Sequence, residues 1–237
     1  MCISPSNRSV TESPHLPSVP DRPIICYVTN RNAALPFAVR ETFVLDCIAR
    51  AIEASVDWIQ IREKDLATAK LLALAKEAVR LAAGTGCRIL VNGRLDIALA
   101  AKAHGVHLGG DAIPAEETLR WLKSWREETN ERAEFSVGVS CHSLTEAKQA
   151  ETNGANYIFF GPVFDSPAKR EFGPPQGIEC LKEICQATKI PVIAIGGIDV
   201  SNATNCLKAG AAGIAAIRLF QGDAGAGSLI TQMGRRR

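Results

Sequence analysis

Residues 189–199 read KIPVIAIGGID, an apolar run that ends on two glycines. Its centre, Pro191-Val192-Ile193-Ala194-Ile195, is apolar on both faces, as expected of a strand in a parallel sheet covered by helices on either side. Gly196 and Gly197 then leave bare backbone at the strand's C-terminal end. Asp199, Ser201 and Asn202 follow, residue types that open helices. Free N–H groups beside a helix start suit an anion, most often a phosphate.

About twenty residues on, Gly210-Ala211-Ala212-Gly213-Ile214-Ala215-Ala216-Ile217 offers a second apolar strand introduced by glycine. In an eight-stranded α/β barrel, a phosphate site is commonly built after strands seven and eight. The plainer reading is a pair of glycine turns that only close a tight fold. Two such strands in succession favour the phosphate site.

The rest of the chain alternates strand and helix in the same way. Apolar runs at 24–29, 56–61, 88–91, 105–108, 135–139 and 157–160 read as strands one to six. Stretches of helical spacing at 42–55, 68–83, 94–103, 114–129, 143–152 and 178–187 follow them. Ser143 and Glu146 fit a capping box. Repeated βα units without hairpin signals predict a parallel sheet, and eight of them a closed α/β barrel. Only a short helix, around Leu229 to Met233, is expected to cover the last strand.

Composition sets the outer limits. A chain of 237 residues, 46% hydrophobic, suits one barrel domain, expected over residues 23–221. Residues 1–22 are rich in Ser and Pro and read as a disordered leader; residues 222–237 read as a short C-terminal segment. A net charge of +2 gives no reason to expect nucleic acid or a membrane surface as partner. The eight cysteines lack metal-binding spacing, and several lie inside apolar runs, which points to a reducing, cytoplasmic compartment. The thin final helix could leave barrel surface for a second subunit, a homo-oligomer.

Polar residues collect at the strands' C-terminal ends, where barrel enzymes do their chemistry. After strand two, alternation puts Gln60, Arg62 and Lys64 on one side, two cations suited to an anionic ligand, although a solvated charged loop is the ordinary alternative. Strand three ends in Asn92-Gly93-Arg94, strand four carries His107 before Gly109-Gly110-Asp111, and strand five ends in Ser140-Cys141-His142. For His142, capping or packing is the commoner role and catalysis the other. His104 falls in a helix and His15 in the leader, so neither is a candidate. The loop 161–170 is long enough to act as a lid, with Lys169 its most plausible functional charge.

The motifs QIREKD (60–65), VNGRLDIAL (91–99), GVHLG (105–109), GVSCHS (138–143), GPVFDSPAK (161–169), IPVIAIGGI (190–198) and AGAAGIAAI (209–217) together resemble the thiamin phosphate synthase/thiazole tautomerase (TenI-like) family. The resemblance runs from about Ile24 to Phe220 and implies a TIM (β/α)8 barrel that binds a thiazole phosphate, its phosphate held at Gly196, Gly197 and the amides near Ala215 and Ala216. In the synthase, pyrophosphate leaves an aminopyrimidine and the thiazole nitrogen captures the resulting cation, chemistry that uses Mg²⁺. The resemblance implies that Gln60, Arg62, Lys64, Asn92, Ser140 and Lys169 hold the pyrimidine and its pyrophosphate. Ser166 stands where the family usually has Thr, and Ala168 replaces a second Thr.

Two departures bear on the metal. Synthases usually carry an Asp where this chain has Gly93, and another where it has Ala112, with Asp111 one step early. Mg²⁺ is commonly anchored through one or two carboxylates and phosphate oxygens. Asn92-Gly93-Arg94 instead resembles the tautomerase branch, which moves a proton without metal. The leading expectation is therefore tautomerase-like proton transfer by His142, with Lys169 assisting and no metal or cofactor. The alternative is Mg²⁺-dependent synthesis of thiamin phosphate from the phosphorylated thiazole and the pyrimidine pyrophosphate. A third reading is a non-catalytic regulator that binds these precursors.

Overall fold

A computed structural model describes residues 22–32, 40–130, 133–165, 174–221 and 229. Eight strands form one closed parallel barrel in sequence order. They are β1 (Ile24–Val28), β2 (Trp58–Ile61), β3 (Arg88–Asn92), β4 (Gly105–Leu108), β5 (Ser136–Cys141), β6 (Tyr157–Phe160), β7 (Val192–Ile195) and β8 (Gly213–Ala216). Between them lie α1 (Arg40–Glu53), α2 (Thr68–Ala82), α3 (Leu95–Ala100), α4 (Ala115–Thr129), α5 (Leu144–Thr152), α6 (Gly177–Ala187) and α7 (Ala203–Lys208). The ring closes where β1 meets β8, Cys26 opposite Ala215 and Tyr27 opposite Ala216. The expected barrel is thus present, strand by strand.

Strand alternation divides the core into two. Ile24, Cys26, Val28, Leu90, Tyr157, Phe159, Ile193 and Ala215 fill the barrel itself. Their sequence neighbours, such as Ile25, Tyr27, Ile89, Val91, Ile158 and Ile214, face the helices. Each fully buried Ile or Phe contributes roughly 1.5–3 kcal/mol relative to exposure. Gly138 makes room for the largest interior side chain: a Cβ there would lie 2.0 Å from the Tyr157 ring.

Some boundaries differ from expectation. β5 runs on to Cys141, so Ser140 is held in the sheet and His142 is the first residue past it. Half of the capping box forms, with Ser143 Oγ accepting the Glu146 N–H at 3.2 Å. The Glu146 carboxylate turns instead to the His142 N–H, at 2.6 Å. His104 is not helical: α3 ends at Ala100, and His104 Nδ1 accepts the Ile89 N–H at 3.0 Å. The segments expected as leader and C-terminal tail lie outside the described residues, apart from Arg22 and a buried, helical Leu229. No helix among the described residues is long and apolar enough to cross a membrane.

Candidate active site

A cavity of ≈350 Å³ opens at the C-terminal mouth of the barrel, lined by Gln60, Arg62, Lys64, Asn92, His107, Asp111, Ser140 and His142, with Pro162, Ile195 and Ile217 across from them. Six of the expected site residues therefore share one wall system. A second cavity, of ≈210 Å³, lies at the opposite mouth among Arg22, Asp57, Trp58 and Arg88. Its charges are matched within the protein, Arg22 to Asp57 at 3.2 Å and Arg88 to Glu134 at 2.9 Å.

The cationic wall is built by the chain beyond β2. Thr29 fastens that stretch: its N–H donates to the Gln60 carbonyl at 2.9 Å, and its hydroxyl accepts the Arg62 N–H at 2.9 Å. The extended alternation therefore persists past the sheet as far as Glu63, with Gln60 and Arg62 toward the cavity and Glu63 away from it, while Lys64 reaches the cavity from the turn that follows. Buried Glu63 accepts the Arg31 N–H at 3.0 Å and faces the Arg31 guanidinium at 3.7 Å. Burial pushes the Glu63 carboxyl up from its ordinary range. Gln60 donates to Asn92 Oδ1 at 2.8 Å, joining β2 to β3. Lys64 reaches Asp111 at 3.1 Å, and this contact holds the Asp111 carboxyl below the usual carboxylate range.

His107 is a site residue that the sequence reading mentions without assigning a role. It points inward from β4, 1% exposed, with Nε2 2.9 Å from Ser140 Oγ and Nδ1 3.3 Å from the Tyr157 hydroxyl. Burial first, and then the nearby Arg62 charge, lowers its pKa to about 3, so the ring is neutral. Its signal was the inward parity of a polar residue in a four-residue strand. His142, by contrast, is exposed at the rim, with Nδ1 hydrogen-bonded to the Gly161 carbonyl. A carbonyl only accepts, so Nδ1 carries the proton and Nε2 is the nitrogen left for a ligand.

The glycine turn after β7 is shaped by its neighbours as well as by its freedom. Gly196 and Gly197 have φ of 97° and 66°, in the region glycine adopts without strain. The loop after β6 packs directly on them, the Val163 and Phe164 N–H groups donating to the Ile195 and Gly196 carbonyls at 2.9 and 3.0 Å. Among the described residues, no acceptor meets the Gly196 or Gly197 N–H. α7 starts only at Ala203, so the helix terminus expected beside these glycines lies further along the chain. Ala215 and Ala216 are likewise inside the paired strand β8, and the first backbone beyond the sheet is at Ile217. Ser166 and Lys169 lie outside the described residues.

The cavity contributes one carboxylate toward a metal. Gly93, where a second was expected by resemblance, has φ of 67° and no side chain. Among the described residues, no group of three or more His, Cys, Asp or Glu could hold an ion. Mg²⁺ often needs only one or two carboxylates when phosphate oxygens and waters complete its shell. The residues fit an ion held through Asp111 and a phosphorylated ligand.

Known proteins resemble this chain over nearly all of its barrel. The family profile described as thiamine monophosphate synthase matches residues 25–220. The chain is 36% identical over 215 residues to the thiamine-phosphate synthase of Roseiflexus castenholzii, covering 91% of this chain and 87% of that protein. It is 42% identical over 180 residues to a putative thiamine-phosphate synthase of Geobacter sulfurreducens, covering 76% and 80%. The solved thiamine phosphate pyrophosphorylase of Pyrococcus furiosus superposes with a TM-score of 0.74 at 30% identity, covering 89% of this chain and 95% of that one. A 3-hexulose-6-phosphate synthase, at 18% identity and a TM-score of 0.63, shares the fold alone. Matched along nearly all of its barrel, the chain belongs to the thiamine monophosphate synthase family.

Proposed function

We propose that this enzyme couples a phosphorylated thiazole to a pyrimidine pyrophosphate, releasing pyrophosphate and forming thiamin phosphate. The observation that carries this reading is one cavity at the barrel mouth with a cationic wall. Arg62 and Lys64 line it, and the glycine turn after β7, to which this proposal gives the other phosphate, adjoins it through Ile195. Two phosphorylated halves need such a pocket. The relatives named for synthesis of thiamin phosphate turn the balance away from the tautomerase expectation.

The chain's own residues divide the work. Gly196 and Gly197 would bind the thiazole phosphate and hold the ring nitrogen toward the pyrimidine carbon. Gln60, Asn92 and Ser140 would orient the pyrimidine. Arg62 and Lys64 stabilise negative charge as it grows on the departing pyrophosphate, a role in which preorganised cations act strongly. Mg²⁺, held by Asp111 and phosphate oxygens, would add charge neutralisation there. The apolar walls at Phe159, Ile195 and Ile217 exclude water, which would otherwise capture the pyrimidine cation. Lys169 and Ser166 complete the pyrophosphate end in this proposal.

A second reading rests on His142, whose outward-facing Nε2 is suited to proton transfer on a carboxylated thiazole phosphate. One assay separates the two. Purified protein is given both phosphorylated halves, with and without Mg²⁺, and in parallel the carboxylated thiazole phosphate alone. Coupling predicts thiamin phosphate only with both halves. Tautomerisation predicts conversion of the thiazole alone, unaffected by a chelator.

A further inference from the structure

The barrel interior holds a polar chain that begins behind the cavity. Tyr157, 1% exposed, packs under Trp58 at 4.8 Å between ring centroids and over Gly138. Its hydroxyl lies 3.3 Å from His107 Nδ1, and His107 Nε2 lies 2.9 Å from Ser140 Oγ. Phe159 covers the imidazole at 4.2 Å. Only Ser140, at the end of the chain, and one edge of His107 reach the cavity.

A neutral imidazole donates at one nitrogen and accepts at the other, and its partners select which. Among the described residues, His107 is the hydrogen-bond partner of the Tyr157 hydroxyl. With a proton on Nδ1, the phenol O–H would have no acceptor, and a buried donor left unmatched is costly. With the phenol donating to Nδ1, every proton in the chain finds an acceptor. The imidazole proton then sits on Nε2 and donates to Ser140 Oγ. Ser140 is left with its own O–H to direct at the cavity.

We propose that Tyr157 is a positioning residue: acting through His107, it fixes Ser140 as a hydrogen-bond donor to an acceptor atom of the pyrimidine substrate. The identity of that substrate rests on the coupling reaction proposed above; the tautomer does not.

The test uses Tyr157→Phe, which keeps the ring and its packing and removes only the donor. Nitrogen-15 spectra of histidine-labelled protein report the His107 tautomer in both forms. Steady-state kinetics vary each substrate in turn, and thermal unfolding monitors folding. The wild type should show Nε2 protonated and Nδ1 bare, and the variant a mixture of tautomers. Loss of one oriented hydrogen bond predicts a fall of about tenfold in kcat/KM for the pyrimidine pyrophosphate, with KM for the thiazole phosphate within about twofold. Adding Tyr157→Phe to Ser140→Ala should cost nothing further, because both act through one contact. A wild-type Nδ1-protonated ring, or a tautomer unchanged in the variant, overturns the proposal. So does an equal loss toward both substrates. If the wild type forms no thiamin phosphate, the coupling reading fails, while the spectra still decide whether Tyr157 sets the tautomer.

Discussion

Lys64 Nζ and Asp111 Oδ2 meet at 3.1 Å, tying the loop after β2 to the loop after β4 across the barrel mouth. Both side chains are more than half exposed, at 53% and 72%, so the pair adds little stability. Its importance lies in what a pyrophosphate, in the reaction proposed above, would do to it. In the proposed coupling, its phosphate oxygens would compete for Lys64 and leave the Asp111 carboxylate able to hold a metal. Asp111→Asn should therefore raise the Mg²⁺ concentration for half-maximal rate by about tenfold or more. Initial rates measured against Mg²⁺ check this; an unchanged Mg²⁺ curve would assign the metal elsewhere.

Gly93→Asp should move the same curve the other way. The backbone at Gly93 has φ of 67°, which Asp tolerates better than most residues, and a Cβ there meets no heavy atom within 4 Å. A second carboxylate beside Asn92 would strengthen metal binding. The strain costs about 1 kcal/mol, or roughly 2–4 °C in Tm for a chain of this size. Lower half-maximal Mg²⁺ with a slightly lower Tm is the expected pair of results.

Stability should fall in mild acid because of His107. Its folded pKa of about 3 lies below the usual unfolded value near 6.5, so below the latter the unfolded chain binds more protons. The contribution is therefore intact above about pH 6.5 and is lost as pH falls toward about 3. Between pH 7 and pH 5 the loss is about 2 kcal/mol. Denaturant unfolding at both pH values, in the wild type and in His107→Gln, measures it. The variant should have a flatter pH profile, whatever its absolute stability.

The glycine turn is open to a direct challenge. In Gly197→Ala the new Cβ would lie 2.5 Å from the Asp165 carbonyl oxygen, with φ at 66°. Backbone must shift there, at a cost of about 1–3 kcal/mol. The turn's amides shift with it. KM for the thiazole phosphate should rise at least about tenfold, more than KM for the pyrimidine pyrophosphate. Equal changes in both would remove the turn from phosphate binding.

The barrel and most of its site were legible from residue order because local rules persist in this fold. The apolar run 192–195 and its glycines are a strand and a turn, as the two-faced pattern implied. Gln60 and Arg62 share a face because Thr29 extends the strand's alternation beyond the ladder, whereas Lys64 reaches the same cavity from a turn. What escaped notice depends on long separations. The Lys64–Asp111 contact spans 47 positions, and His107 finds Tyr157 50 positions away, inside an apolar run that looked like packing alone. Near Ala215 and Ala216, the backbone still pairs with β1, a register that residue order alone does not reveal. Gly93 and Ala112 point toward a tautomerase, while the named relatives are synthases. One exposed carboxylate beside two cations is enough where phosphate oxygens supply the remaining ligands.

The most direct measurement of the central claim is a single incubation of the wild-type protein with the phosphorylated thiazole and the pyrimidine pyrophosphate. Thiamin phosphate and free pyrophosphate should appear in equal amounts with Mg²⁺ and cease to form when a chelator is added. Turnover of a carboxylated thiazole phosphate alone, with no coupled product under any metal condition, would contradict it.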